Sequence, residues 1–254
     1  MKPTDQFSDL VELIQILRKE CPWDRKQTHN SIKDNLIEEA YEAVEAIDER
    51  NFNELKKELG DLLLHVVFQT NMADEKEEFN IQDVIYTLQE KLIRRHPHVF
   101  ENVEADDEEK VAKNWEQIKK EEGRKSVLDG IPRHLPALIK AQRMQEKAAN
   151  SGFDWPESDG AWDKLMEELK EFKDALQNSP NEHQTEEYGD FLFTIVNYGR
   201  FFNLNAEDAL RQTNKKFDSR FRFVEQSVTK TNRPMNDVPL EEMEKYWREA
   251  KRKE

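Results

Sequence analysis

The residues best placed to do chemistry are acids at fixed intervals. Glu38-Glu39-Ala40-Tyr41-Glu42 is followed, after fifteen residues, by Glu58-Leu59-Gly60-Asp61. Glu39 and Glu42 are three residues apart, as are Glu58 and Asp61, and that spacing puts two side chains on one helical face about 5–6 Å apart at Cβ. Between them Arg50-Asn51-Phe52-Asn53 reads as a short turn, so the two helices double back and their acidic faces meet. Carboxylates gathered at one point repel unless a cation lies among them. Ligands that are all oxygen favour a hard ion, Mg²⁺ first and Mn²⁺ second.

The pattern occurs twice. Glu167-Glu168-Leu169-Lys170-Glu171 precedes Glu187-Tyr188-Gly189-Asp190, and Glu39, Glu42, Glu58 and Asp61 map onto Glu168, Glu171, Glu187 and Asp190 with one constant offset of 129 residues. In a chain with 37% charged residues a single ExxE or ExxD arises freely. Two copies with equal internal spacing, each ending in Gly-Asp before an apolar run, do not. A duplicated solvated face is the plain alternative, but surface acids do not require fixed spacing.

Helices must position these acids. Apolar residues make up 36% of the chain, there are seven glycines, and strand-type alternation is absent, so the expected class is all-α. Helices are expected at about 5–20, 31–49, 53–72, 81–95 and 107–122 in the first half. In the second half they are expected at about 138–150, 160–177, 184–202, 206–228 and 240–251. Leu36, Ile37, Ala40, Val44 and Ile47 should face the core from the second helix, and Leu55, Leu59, Leu62, Leu63, Val66 and Val67 from the third. Gly60 in a helix costs about 1 kcal/mol relative to alanine, and its recurrence as Gly189 suggests close backbone packing. His65 reads as a packed or hydrogen-bonded histidine, because the second copy has Thr194 there. Gly123, Gly130 and Pro132 mark a boundary between domains at 1–125 and 126–254. Trp23 sits in the polar loop Cys21-Pro22-Trp23-Asp24, either capping the core edge or walling an aromatic base, and Gly152-Phe153-Asp154-Trp155 holds the matching place in the second half.

The formal charge of −15 disfavours binding to nucleic acid or to an anionic membrane. The single cysteine, Cys21, excludes an internal disulfide and fits a reducing compartment, as a buried small residue rather than a nucleophile. With no apolar leader in the first twenty residues and no run able to span a bilayer, a cytoplasmic location is expected. Lys91 and Arg95 lie four apart at a helix C-terminus, a placement the helix dipole alone favours, and Lys216 and Arg220 repeat it. Trp247 and Lys251 repeat the spacing of Trp115 and Lys119. His96 and His98 flank Pro97 and have no counterpart in the second half. Neither GxxxxGK[ST] nor GxGxxG is present, so phosphate binding would rest on metal ions, lysines and arginines, with a tryptophan to stack on a base.

Together these residues resemble the MazG family of all-α nucleoside triphosphate pyrophosphohydrolases, whose mark is ExxE, a gap, then ExxD. The resemblance covers nearly the whole chain and includes the CPWD loop at 21–24, RRHPHVF at 94–100 and GFDW at 152–155. It matches the long bacterial form with two tandem domains. It implies helices contributed to four-helix-bundle-type sites in a homodimer, and Mg²⁺-dependent hydrolysis of NTPs and dNTPs to monophosphates and pyrophosphate, in nucleotide-pool clean-up or regulation. By the family pattern the metal ligands are Glu39, Glu42, Glu58 and Asp61 in the first domain and Glu168, Glu171, Glu187 and Asp190 in the second. Nucleotide contacts are Lys164, Glu168, Glu186, Asp190, Lys216, Arg220, Trp247 and Lys251, with Lys91 and Arg95 in the first half. Catalysis is expected in the second domain, with Glu167 or Glu38 as general base or as orienter of a water. His183 stands where the pattern has a lysine.

Rival readings make different demands. A non-catalytic helical module that binds nucleotides or a partner would return a triphosphate unchanged. A di-iron carboxylate bundle needs ExxH on two helices, and neither motif supplies that histidine. A structural scaffold explains the charged helices but not the repeated spacing.

Overall fold

Side-chain caps set several helix starts. Asn51 accepts from the Glu54 N–H at 3.2 Å, Asn205 from the Asp208 N–H at 3.0 Å, and Asn80 and Asp83 form a reciprocal capping box. The computed structural model describes residues 2–101, 118 and 125–253. Among these there are ten α-helices and no strand. The chain divides into two compact units, Met1–Val111 and Ala112–Glu254, and each carries one acid-bearing hairpin. Apart from residue 118, the helix expected at 107–122, with Trp115 and Lys119, lies outside the described residues.

In the first unit α1 (Phe7–Glu20), α2 (Lys33–Asp48), α3 (Phe52–Asp74) and α4 (Ile81–Arg95) are followed by the single turn α5 (Pro97–Phe100). Helices α2 and α3 form the hairpin, reversed through Arg50 in the left-handed region at φ 54°. Helices α1 and α4 pack on α3. The core is Ile14, Ile32, Val67, Phe68 and Met72, with Leu10 and Val11 against it. Arg18 can be buried with these groups because its guanidinium makes four hydrogen bonds within the unit. It donates to both Glu75 oxygens at 2.9 and 2.6 Å, to the Gln27 carbonyl at 3.1 Å and to the Asp24 carbonyl.

The second unit holds α6 (Ala137–Asn150), α7 (Ser158–Asn178), α8 (Asn181–Arg200), α9 (Ala206–Thr229) and α10 (Leu240–Lys253). Helices α7 and α8 pair through the Ser179-Pro180 turn, α6 packs on α8, and α9 packs on α6 and α10. Rings tie the hairpin together: Phe172 and Tyr188 centroids lie 5.2 Å apart, and those of Trp162 and Tyr198 5.1 Å. Val224, Val228 and Val238 form a second core under Met243, Tyr246 and Trp247.

Several burial expectations are corrected. On α2 the buried residues are Ala43 and Ala46, whereas Leu36, Ile37, Ala40 and Ile47 are exposed. On α3 Val67 and Phe68 are buried, Leu55 and Leu62 half-buried, and Leu59, Leu63 and Val66 exposed. The hairpin closes on its small-residue and acid-bearing side, and the leucine and isoleucine stripe faces outward within one chain. A Cβ built on Gly60 or Gly189 meets nothing within 4 Å, so neither glycine serves the close backbone packing expected of it. Trp23 is 64% exposed and does not cap the core, and Cys21 is half-buried. No described helix is long and apolar enough to cross a membrane.

Candidate active site

The first hairpin brings Glu39 of α2 to Glu58 and Asp61 of α3, with one carboxylate oxygen from each inside 4.8 Å of the others. Glu58 is buried. Burial, followed by repulsion from Asp61, Glu42 and Glu38, raises the Glu39 carboxyl above its ordinary range, against an opposing hydrogen bond with Glu58. Glu58 is raised by burial and then by Glu42 and Glu39. Glu42 therefore belongs to the same electrostatic group although it stands outside the tightest three. Beside them His65 is buried, which pushes its pKa down, and its Nδ1 has no hydrogen-bond partner. It is a packed histidine, as expected, but not a hydrogen-bonded one at that nitrogen.

The second hairpin brings together Glu168 and Glu171 of α7 and Glu187 of α8, again within 4.8 Å. This cluster differs from the first in its cationic flank. Lys164, one turn before Glu168, sets its Nζ 2.9 Å from the Glu168 carboxylate and 3.1 Å from that of Glu167. Those hydrogen bonds push the Lys164 pKa up and hold the ammonium charged. His183 points its Nε2 at Glu187, 3.4 Å away, and its Nδ1 at Glu186, 3.3 Å away. Asp190 lies outside the tightest three and lines a cavity with Lys164 and Glu168.

Both clusters fit a hard divalent cation. Their donors are all oxygen, they converge from two helices, and in the first the repulsion that adds to burial in raising Glu39 and Glu58 is what a divalent ion would relieve.

The other sequence candidates lie elsewhere on the fold. Arg220 of α9 places its guanidinium 5.6 Å from the Trp247 ring of α10, and Phe217 lies 5.3 Å from the same ring. Lys216 and Lys251 are exposed on these two helices. Helix α9 packs chiefly on α6 and α10, so this aromatic-basic group forms its own face. Lys91 is exposed and Arg95 half-buried in the last turn of α4.

Sequence reasoning missed a cavity of about 350 Å³ that runs from Lys164, Glu168 and Asp190 into the space between α6, the GFDW loop and α8. Phe153 and Trp155 give it aromatic walls, and Gln145 and Asn197 line it. The loop is built for this place. Gly152 takes φ +92°, and a Cβ on Gly160 would come 2.4 Å from the Trp155 ring, so only glycine lets the indole lie across the start of α7. Arg200 holds the loop by pairing with Asp154 at 2.5 Å. The available signal was a buried amide, Gln145, on the inner face of an amphipathic helix.

Comparison with known proteins agrees with this geometry. The MazG nucleotide pyrophosphohydrolase domain matches residues 27–100 and 159–224, which include both acid hairpins. The chain is 48% identical over 250 residues to the nucleoside triphosphate pyrophosphohydrolase/pyrophosphatase MazG of Thermotoga maritima, spanning 96% of this chain and 95% of that protein. It is 42% identical over 259 residues to the nucleoside triphosphate pyrophosphohydrolase of Escherichia coli K12, spanning 98% of each. Tandem acid hairpins on an all-helical frame and full-length likeness to two such proteins lead to one assignment: the chain belongs to the MazG nucleotide pyrophosphohydrolase family.

Proposed function

We propose that the second acid cluster is the seat of Mg²⁺-dependent hydrolysis of NTPs and dNTPs to monophosphates and pyrophosphate. The chain is a nucleoside triphosphate pyrophosphohydrolase. The observation that carries the choice of site is the cavity opening onto Lys164, Glu168 and Asp190, which gives a triphosphate a place beside the acids. Glu168, Glu171, Glu187 and Asp190 would hold Mg²⁺, or Mn²⁺ in its place. Such ions supply charge neutralisation on phosphate oxygens and acidify a bound water.

The chain's own groups do the rest. The Lys164 ammonium, already beside Glu167 and Glu168, neutralises charge that develops on the phosphate oxygens. Attack forms a bond from water oxygen to the α-phosphorus and breaks the α-phosphorus bond to the bridging oxygen. Pyrophosphate leaves, and the water proton passes to a carboxylate. Glu167 is the candidate base or water orienter, with Glu38 its counterpart in the first domain. Glu186 and His183 stand at the mouth of the cluster for contact with the outer phosphates.

The first cluster, Glu39, Glu42, Glu58 and Asp61, binds metal in the same manner, with Lys91 and Arg95 as the candidate nucleotide contacts of that half. Lys216, Arg220, Trp247 and Lys251 contact nucleotide in the second domain, and the chain forms a homodimer, which the exposed apolar stripe on the first hairpin supports. The functional domains are 1–125 and 126–254. The substrates are free nucleotides, the location is cytoplasmic, and the role is nucleotide-pool clean-up or regulation.

Incubation of the protein with each NTP and Mg²⁺, followed by product analysis, tests this reading. Monophosphate and pyrophosphate in equal amounts are expected, and Glu171→Ala should abolish their release without unfolding the chain. Triphosphates returned intact would make the protein a binding module. Normal hydrolysis in both Glu171→Ala and Glu42→Ala would mean that the site is misassigned.

A further inference from the structure

The cavity beside the second cluster has a chemically mixed lining. Lys164, Glu168 and Asp190 bring it charge, as does the Asp154–Arg200 pair, while Met144, Ala148, Phe153 and Trp155 give it apolar surface. Its volume of about 350 Å³ lies in the range of small-ligand pockets, about 300–1,000 Å³. Gln145 is the informative side chain within it. It is 6% exposed, and its Nε2 donates to the Phe193 carbonyl at 2.7 Å. That bond fixes the orientation of the amide, because the flipped form would set oxygen against oxygen. The Oε1 is then left buried with no hydrogen-bond partner, a costly arrangement unless a ligand supplies a donor.

We infer that this cavity takes the nucleobase, stacked against Phe153 and Trp155, and that Gln145 Oε1 accepts a hydrogen bond from an exocyclic amino group on that base. The inference rests on reading the second cluster as the phosphate site. Gln145 is thereby a specificity residue. Adenine and cytosine present an amine where hypoxanthine and uracil present a carbonyl. A carbonyl facing Oε1 opposes two acceptors in a site with little water, and leaves both unpaired. Ribose hydroxyls are donors too, but the aromatic walls favour a flat ring beside them.

Calorimetric titration with nucleoside monophosphates tests the inference without relying on turnover. AMP should bind about tenfold more tightly than IMP, and CMP about tenfold more tightly than UMP, the weight of one buried hydrogen bond. In Gln145→Met, which keeps side-chain length but loses the acceptor together with the donor to the Phe193 carbonyl, both ratios should collapse to about twofold or less. The wild-type ratios stand as a test even if that variant misfolds. Equal affinities within each pair, no binding of AMP or CMP, or discrimination that appears only between AMP and dAMP would each overturn it. Pyrophosphate release, assayed separately on ATP, judges the enzymatic reading. Release together with equal AMP and IMP affinities would remove the base assignment alone.

Discussion

Phe68 and Asn197 occupy the same place in the repeat, seven residues after Asp61 and Asp190 respectively, and they do opposite things. Phe68 is 5% exposed and fills the core of the first unit, with the Arg18 guanidinium 5.5 Å from its ring. Asn197 lines the cavity of the second and accepts from Arg200 Nε at 3.2 Å. One duplicated hairpin therefore carries a plug in one copy and an opening in the other.

Exchanging the two residues gives the first prediction. Asn197→Phe should fill the cavity and raise the KM for nucleoside triphosphates by about tenfold or more, while Mn²⁺ titration followed by electron paramagnetic resonance shows the same stoichiometry. The reverse change, Phe68→Asn, should destabilise the first unit by about 3–5 kcal/mol in urea unfolding, because it deletes a buried ring and strands an amide. An unchanged KM in Asn197→Phe would separate the cavity from the substrate.

Lys164 carries a prediction of opposite sign for metal and for nucleotide. Its ammonium lies 2.9 Å from a carboxylate oxygen of Glu168. Lys164→Met leaves that acid without its cation, so divalent ions should bind more tightly in the absence of nucleotide. The triphosphate should bind less tightly, because a neutralising charge is gone from its path. A several-fold fall in the Mn²⁺ dissociation constant with a rise of about tenfold in nucleotide KM is expected. Parallel movement of both constants would mean that Lys164 only supports the helix.

Acid should loosen the first unit through Glu75. The Arg18 guanidinium, by hydrogen bond and by charge, holds the Glu75 carboxyl below the usual range. A depressed folded-state pKa contributes stability above the unfolded value, and that stability is lost as pH falls through the folded value. Glu75→Gln should therefore cost stability at neutral pH, about 1 kcal/mol once solvent screening is allowed for at a side chain 43% exposed. The gap from wild type should close on acidification below about pH 4, the ordinary glutamate range. Thermal midpoints measured between neutral pH and pH 3 check it, and a pH-independent gap would refute the linkage.

Local signals carried much of this architecture. The expected helix at 81–95 matches α4 to the residue, because Asn80 and Pro97 punctuate it. The acid hairpins follow from three-residue spacing and a short turn. What local pattern does not encode is which apolar stripe gets covered. The leucines and isoleucines of α2 and α3 have the right period, yet alanines close the hairpin from α2. The cavity was equally hidden, since Gln145, Trp155 and Asn197 meet only through the packing of α6 and its loop on α8. Gly160 shows the same limit: its need arises from the Trp155 ring lying over it.

The uncovered stripe leads to the last prediction. Ile37 and Ile47 on α2 are 56% and 57% exposed, and Leu59, Leu63 and Val66 are exposed on α3. Single exposed apolar residues are ordinary, but a periodic stripe on both arms of one hairpin is a face that burial would stabilise. If a second copy covers it, light scattering should give twice the chain mass, and the thermal midpoint should rise with protein concentration. Ile37→Glu with Ile47→Glu should then yield a monomer whose midpoint no longer depends on concentration. On a free surface the same pair would change stability by no more than about 0.5 kcal/mol each, and mass and midpoint would both stay where they were. If the partner copy also supplies nucleotide contacts, the monomeric variant should lose nucleotide affinity while its acid clusters still take up Mn²⁺. Retention of full affinity in the monomer would place every nucleotide contact within one chain.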